Sequence, residues 1–452
     1  MARPNKEQMK LSCFMMADAN YSRTGWRNRE AYSDAGFNFS RWIELAGILE
    51  RGKFDMLFIA DQISAPGLDD KDTFCKTAST IAFEPLMLLA ALSQTTTKLG
   101  LAATIATTWS EPYSTARMLA SLDRISNGRS GWNVVTGRNS DDALNFSKDS
   151  HVAHADRYER AEEFVDICKG LWDSYDDGAV VADKQSGQFV DPQALHVLNH
   201  KGKHFSVRGP LSVARPIQGH PVIIQAGASE PALEMAARVA DCMFTAQANL
   251  ESAKAFYRNV KSRLPAYGRK KSDLKILPGV SIYVAKTRKE ANEKFDDTQS
   301  LTSVEYAVRQ MGAIFGADFS KEPLDGPIPP LKPNLSFINP EKIAQAARAD
   351  NLTLRQFAMR VAAAKGHQIL VGSPSEVADQ LEVWFDEEAA DGFNILPPVV
   401  PGPLNDIVDL LIPELQSRGL VRADYTGNTL REHLGVERPA DAATRRKADG
   451  AT

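Results

Sequence analysis

Gly128-Arg129-Ser130-Gly131-Trp132-Asn133-Val134-Val135-Thr136 is the stretch that decides the fold. Trp132 to Thr136 is a short β-branched run behind a helix-like segment, which predicts a buried parallel strand with polar groups at its C-terminal end. A second run of the same kind, Val222-Ile223-Ile224-Gln225-Ala226-Gly227, passes directly into Ser229-Glu230-Pro231, the composition of a helix start. A strand that delivers small residues and open N–H groups to a helix start makes a seat for phosphate.

Outward from these runs the chain alternates. Residues 9–16, 56–60 and 99–106 read as strands before them, and 241–246, 276–285 and 393–396 after them, with helical spacing between. Eight such units predict an α/β fold, a closed (β/α)8 TIM barrel. A doubly wound open sheet competes, but no Gly-x-Gly-x-x-Gly opens the first helix. One domain is expected over 1–436. Insertions are read near 17–38, 62–83, 179–216 and 300–366, the largest between the seventh and eighth strands, with a polar helical pair forming a lid. The Ala-, Arg- and Asp-rich tail 437–452 is expected to lack fixed structure.

Of the 452 residues 43% are hydrophobic and 24% charged, and the net charge is −4. That is an ordinary globular balance, with no electrostatic reason to expect nucleic acid or a membrane surface as partner. No apolar run approaches the roughly 20 residues of a membrane span. Cys13, Cys75, Cys168 and Cys242 are scattered and read as free thiols, so a cytoplasmic location is expected.

In a barrel the C-terminal strand ends carry the chemistry. Here they present Phe14, Asp61, Thr107, Trp109, Asn133, Thr136, Gln225, Gly227, Ser229 and Thr245. This set has one carboxylate, no histidine and no lysine, so it offers neither a metal ligand set nor a Schiff-base nucleophile. What remains suits a large planar phosphorylated cofactor that supplies its own reactivity. Asp61 reads either as a cap on the following loop or as a wall of that pocket. Asn133 must bond something, a structural partner or the cofactor. His154 and Tyr158, one helical turn apart, are able to donate to a phosphate. The spacing of His196, His200 and His204 imitates metal ligands, but the interleaved lysines argue against a metal.

The chain resembles the bacterial-luciferase superfamily, in its nitrilotriacetate, EDTA, dibenzothiophene-sulfone and long-chain-alkane monooxygenase branch. The resemblance runs through Phe54-Asp55, Ala60-Asp61-Gln62, Gly128-Arg129, Trp132 to Thr136, Asn145-Phe146, His154 with Arg157-Tyr158-Glu159-Arg160, Phe205 to Pro210, Gln218 to Ser229, Asp391 to Asn394, and 413–431. It implies a two-component enzyme that takes reduced FMN (FMNH2) from a separate NAD(P)H:flavin reductase. Such an enzyme forms a flavin C4a-(hydro)peroxide and oxygenates an organic, anionic or xenobiotic small molecule, with C–N or C–S cleavage among the outcomes. Carried over by position, it implies cofactor contacts at Asp61, Thr107, Asn133, His154, Tyr158, Gly227, Ala228 and Ser229. Phe14, Trp26, Trp109 and Arg138 stand where substrate meets the flavin, and Trp132 is a further aromatic suited to excluding water. No metal and no catalytic acid or base is implied; a homodimer or homotetramer is. Two positions depart from the branch: no histidine precedes Trp26-Arg27, and Gly137-Arg138 follows Val-Val-Thr where serine is usual. An F420-dependent oxidoreductase and a non-catalytic flavin-binding barrel are the alternatives.

Overall fold

The computed structural model describes residues 7–65, 71–78, 81–137, 139–150, 154–331 and 340–449. Its strands are β1 (Lys10–Met15), β2 (Met56–Ile59), β3 (Gly100–Ala106), β4 (Ser130–Val135), β5 (His200–Lys201), β6 (Ser206–Val207), β7 (Val222–Ala226), β8 (Cys242–Thr245), β9 (Lys275–Val284), β10 (Gln368–Gly372) and β11 (Gly392–Ile395). Eight of them close a parallel barrel in the order β1-β2-β3-β4-β7-β8-β9-β11 and back to β1. β9 is long enough to serve two purposes. Its first half pairs with β8 and β11, and its second half runs on and carries β10 as an additional parallel strand.

Alternation along each strand sorts the core into two shells. Leu57, Ile59, Leu101, Ala103, Trp132, Val134, Ile223 and Met243 face the helices, while Met56, Phe58, Ala102, Val222, Ile224, Phe244 and Leu277 fill the barrel. Helix Phe39–Arg51 shows how the outer layer is placed. Its apolar Trp42, Leu45, Ala46 and Leu49 are buried, and its start is capped by Asn38, which accepts from Ser40 N–H, rather than by Ser40 itself.

The bottom of the barrel, opposite the site, absorbs many of the motif residues. Asp55, Asp241 and Asp391 each precede a strand, and each accepts the N–H of the second residue of a neighbouring strand: Leu11 at 2.6 Å, Ile223 at 2.8 Å and Ile276 at 2.8 Å. Arg422, Arg431 and Lys261 pair with them in turn. Arg129 is buried and donates to Ser93 O, Thr96 O, Leu99 O and Ser126 O. Leu430 and Leu434 plug this end, against Gly100 and Gly131.

The segment around 179–216 forms the β5–β6 hairpin. Helices Val304–Phe315, Pro340–Ala349 and Leu354–Ala364 depart from the polar pair expected from sequence. They share their own core, including Met311, Phe315, Phe357 and Val361, because alanines and large apolar residues fall on the same faces. The tail also departs from expectation: it carries helix Ala442–Asp449, started by Asp441, which accepts from Thr444 N–H at 2.8 Å. Among the described residues the cysteines are free, and no helix is long and apolar enough to cross a membrane.

Candidate active site

Since Trp132 and Val134 belong to the outer shell, Asn133 between them points into the barrel. Its Nδ2 donates to Thr104 Oγ1 on β3 at 3.0 Å, and Thr104 donates to Ile59 O on β2 at 2.9 Å. Asn133 Oδ1 is buried with no hydrogen-bond partner among the described residues. Leaving such an acceptor open costs about 1–3 kcal/mol, so the wall is built for a donor from elsewhere. Trp132 does not shield the mouth as expected; its ring packs outward on Phe164 and Trp172.

β7 ends at Gly227, whose φ is +143° and whose absent Cβ would lie 2.9 Å from Ala232 Cβ. Only glycine takes that conformation readily. Ser229 stands before helix Glu230–Val239, yet its hydroxyl makes no capping bond and instead lies 3.5 Å from Tyr158 OH. Tyr158 comes from the first turn of helix His154–Trp172, where Arg157 and Arg160 donate to Gly137 O and Thr107 O. Those two bonds tie the loops after β4 and β3 to the helix. Hydroxyls, helix-start N–H groups and a glycine cradle are thus gathered at one point, as a phosphate requires. The open Asn133 acceptor below it fits a ring N–H.

Thr107 is fully buried and its hydroxyl donates to Val135 O at 3.3 Å. It therefore braces the rim. Asp61, after β2, accepts from Gln62 N–H at 2.8 Å, and burial pushes its carboxyl up to about 6, with Glu84 adding in the same direction. At the entrance Trp109 stacks on Phe146 at 5.2 Å, and Trp26 Nε1 donates to Lys76 O at 3.1 Å. Arg138 and the His154 side chain lie outside what is described.

The opposite wall is aromatic and partly ionisable. Phe14 meets Phe58 at 4.9 Å and Phe244 at 5.2 Å inside the barrel. His367 lies flat on Phe244, 5.1 Å between centroids and 4° between planes, and fills the space left by Gly279 on β9. Burial, with Lys365 adding to it, lowers its pKa to about 3, so the ring is neutral. Lys365 Nζ sits 4.1 Å over the Tyr21 ring. The expectation of a mouth without histidine or lysine is corrected here. The strand ends supply neither, but the segment leading into β10 brings both. No periodicity marks Lys365-Gly366-His367; its one sequence signal is a glycine turn between an apolar helix and a short strand. Asp18, after β1, is a second residue that sequence reasoning passed over; it is 3% exposed.

Comparison with known proteins identifies the family. Nitrilotriacetate monooxygenase component A of Aminobacter aminovorans is 45% identical over 97% of this chain and 99% of that protein. N-acetyl-S-(2-succino)cysteine monooxygenase of Bacillus subtilis (strain 168) is 45% identical over 96% of this chain and 98% of that one. The crystal structure of a riboflavin lyase with modified FMN and riboflavin superposes with a TM-score of 0.84 at 31% identity, over 96% of this chain and 97% of that one. Residues 22–391 match the family described as luciferase-like monooxygenase, and the chain belongs to that family: it is a flavin-dependent monooxygenase.

Proposed function

We propose that the chain is the oxygenating component of a two-component system, binding reduced FMN delivered by a separate NAD(P)H:flavin reductase and oxygenating a carboxylate-bearing small molecule. The observation that carries this is the pairing of an open acceptor, Asn133 Oδ1, with the Ser229, Tyr158 and Gly227 seat on the same side of the barrel. The phosphate would rest on Ser229, Tyr158, His154 and the Gly227-Ala228 amides. Asn133, Asp61 and the Thr107 rim would face the ring system. Bound reduced flavin supplies the activation of O2. Phe14, Trp26 and Trp109 line the approach and keep water from the reacting atoms, since hydrolysis competes with oxygen transfer. Two relatives named for nitrilotriacetate and N-acetyl-S-(2-succino)cysteine, both polycarboxylates, support an anionic substrate.

Anaerobic titration of the protein with reduced FMN, followed by oxygen-electrode traces with a flavin reductase and NADH, tests the reading. Saturable binding of reduced FMN and substrate-dependent product formation are expected. Tight F420 binding without oxygen uptake, or FMN binding without any turnover, would overturn it.

A further inference from the structure

We propose that Asp18 is a specificity-determining residue which accepts a hydrogen bond from a substrate N–H, while Lys365 and Arg23 beside it receive a carboxylate of the same molecule. The substrate class is then a small molecule with an N–H and a carboxylate a few atoms apart, as in an N-acylated amino acid. This inference rests on the monooxygenase reading above and narrows its substrate.

Asp18 is buried, and apart from its own backbone N–H its carboxylate oxygens have no hydrogen-bond partner among the described residues. A carboxylate in that state is expensive, and folded chains rarely keep one without use. Here the loop is held in place around it. Ala19 adopts a left-handed φ of +72°, its N–H donating to Met16 O at 2.8 Å. Asn20 is anchored at both ends of its amide, donating to Tyr32 O at 3.1 Å and accepting from Val400 N–H at 3.2 Å. Strain of this sort gathers where geometry serves a ligand.

The surroundings define what the ligand carries. Lys365, itself left-handed at φ +50°, reaches back to Met16 Sδ at 3.9 Å, and Arg23 reaches across to Gln62 Oε1 at 3.3 Å. Both cations act on the Asp18 carboxyl through space, against the burial that raises its pKa. The loop after β1, the loop after β2 and the turn before β10 thus converge on one rim, with an acceptor and two cations. A purely anionic ligand would leave Asp18 repelling it. A ligand with a donor beside its carboxylate meets all three groups.

The test uses two thioether diacids as probes on the FMN-loaded protein, by calorimetry. N-acetyl-S-(carboxymethyl)cysteine has the amide N–H; 3-(carboxymethylthio)propionate lacks it. The first is expected to bind at least tenfold more tightly. Asp18→Ala, which leaves no acceptor, should remove that selectivity while leaving FMN affinity unchanged; Asp18→Asn, whose amide oxygen still accepts, should keep part of it and melt at an equal or higher temperature, because a buried charge has gone. Lys365→Gln should weaken both probes alike. Equal binding of the two probes, no binding by the first, or an Asp18→Ala protein that still binds FMN and keeps the full selectivity overturns the inference. Failure of FMN itself to bind overturns the flavin reading instead.

Discussion

The two walls of the barrel mouth are made in different ways. The wall from β3, β4 and β7 draws its polar groups from short contiguous runs and ties them to one another, Asn133 Nδ2 on Thr104, Thr108 on Thr136 O and Thr107 on Val135 O, while the side-chain oxygens of Asn133 and Gln225 stay open among the described residues. The wall facing it is assembled from residues far apart in the chain, Met16 with Lys365 and Tyr21 with Ala364 being 349 and 343 positions apart. It holds Asp18, whose carboxylate oxygens no other described residue bonds. The first wall is a locally bonded seat; the second brings together charges from distant loops. Rigidity comes from local hydrogen bonds, and selectivity from groups left open at some cost in stability.

The largest effect that would sharpen this contrast is expected in the seat. The double change Ser229→Ala with Tyr158→Phe removes two hydrogen bonds to a charged phosphate, each worth about 2 kcal/mol. Affinity for reduced FMN should fall about a thousandfold, read by anaerobic titration, with thermal stability nearly unchanged. An unaltered titration would break the assignment of the seat.

On the other wall the expected signature is pH. Burial raises the Asp18 carboxyl to about 6, from 3.8 when unfolded. Between those values the folded chain holds a proton that the unfolded chain has released, so this group makes stability fall as pH rises through that window and level off above about 6. The full difference is about 3 kcal/mol. It should appear as a gap between wild type and Asp18→Asn in denaturant melts that opens from pH 4 to pH 6, with the variant the more stable. A constant gap would mean that the carboxyl is not buried as described.

A smaller effect is expected at Gly279, where an added Cβ would lie 2.3 Å from His367 Nδ1 and 2.8 Å from Phe244. Gly279→Ala should cost about 2 kcal/mol through overpacking, seen as a lower melting temperature, while FMN affinity on the opposite wall changes little. The smallest effect is at Thr108, whose hydroxyl donates to Thr136 O at 2.7 Å. Thr108→Val should cost about 1 kcal/mol and weaken FMN binding only a few-fold. A larger loss there than at Ser229 would reverse the proposed order of the wall.

The barrel was legible because burial on both faces of a parallel strand leaves an apolar run that needs no partner to be recognised. The turn after β7 was legible for a similar reason, since Gly227, Ser229 and Pro231 carry their backbone geometry with them. Other motif residues were visible without their meaning. Asp55, Arg129 and Asp391 stand out in sequence only as part of the resemblance, and in the structure they clamp the opposite end of the barrel. A buried charge leaves the same mark whether it holds a strand or a ligand. The tail was misread because polar, charged composition hides a helix whose start is set by one capping aspartate.

Sequence by itself therefore determined the alternation of strands and helices, the closed barrel and the glycine turn that leads from β7 into the next helix, all of which follow from the properties of neighbouring residues. Only the tertiary structure decided that Trp132 faces the helices, that His367 enters the barrel through the gap at Gly279, and that Asp18, Arg23 and Lys365 share a rim. The physical reason is distance along the chain: which face a side chain presents follows from local period, but which charges meet is set when loops hundreds of residues apart are closed over the same strand ends.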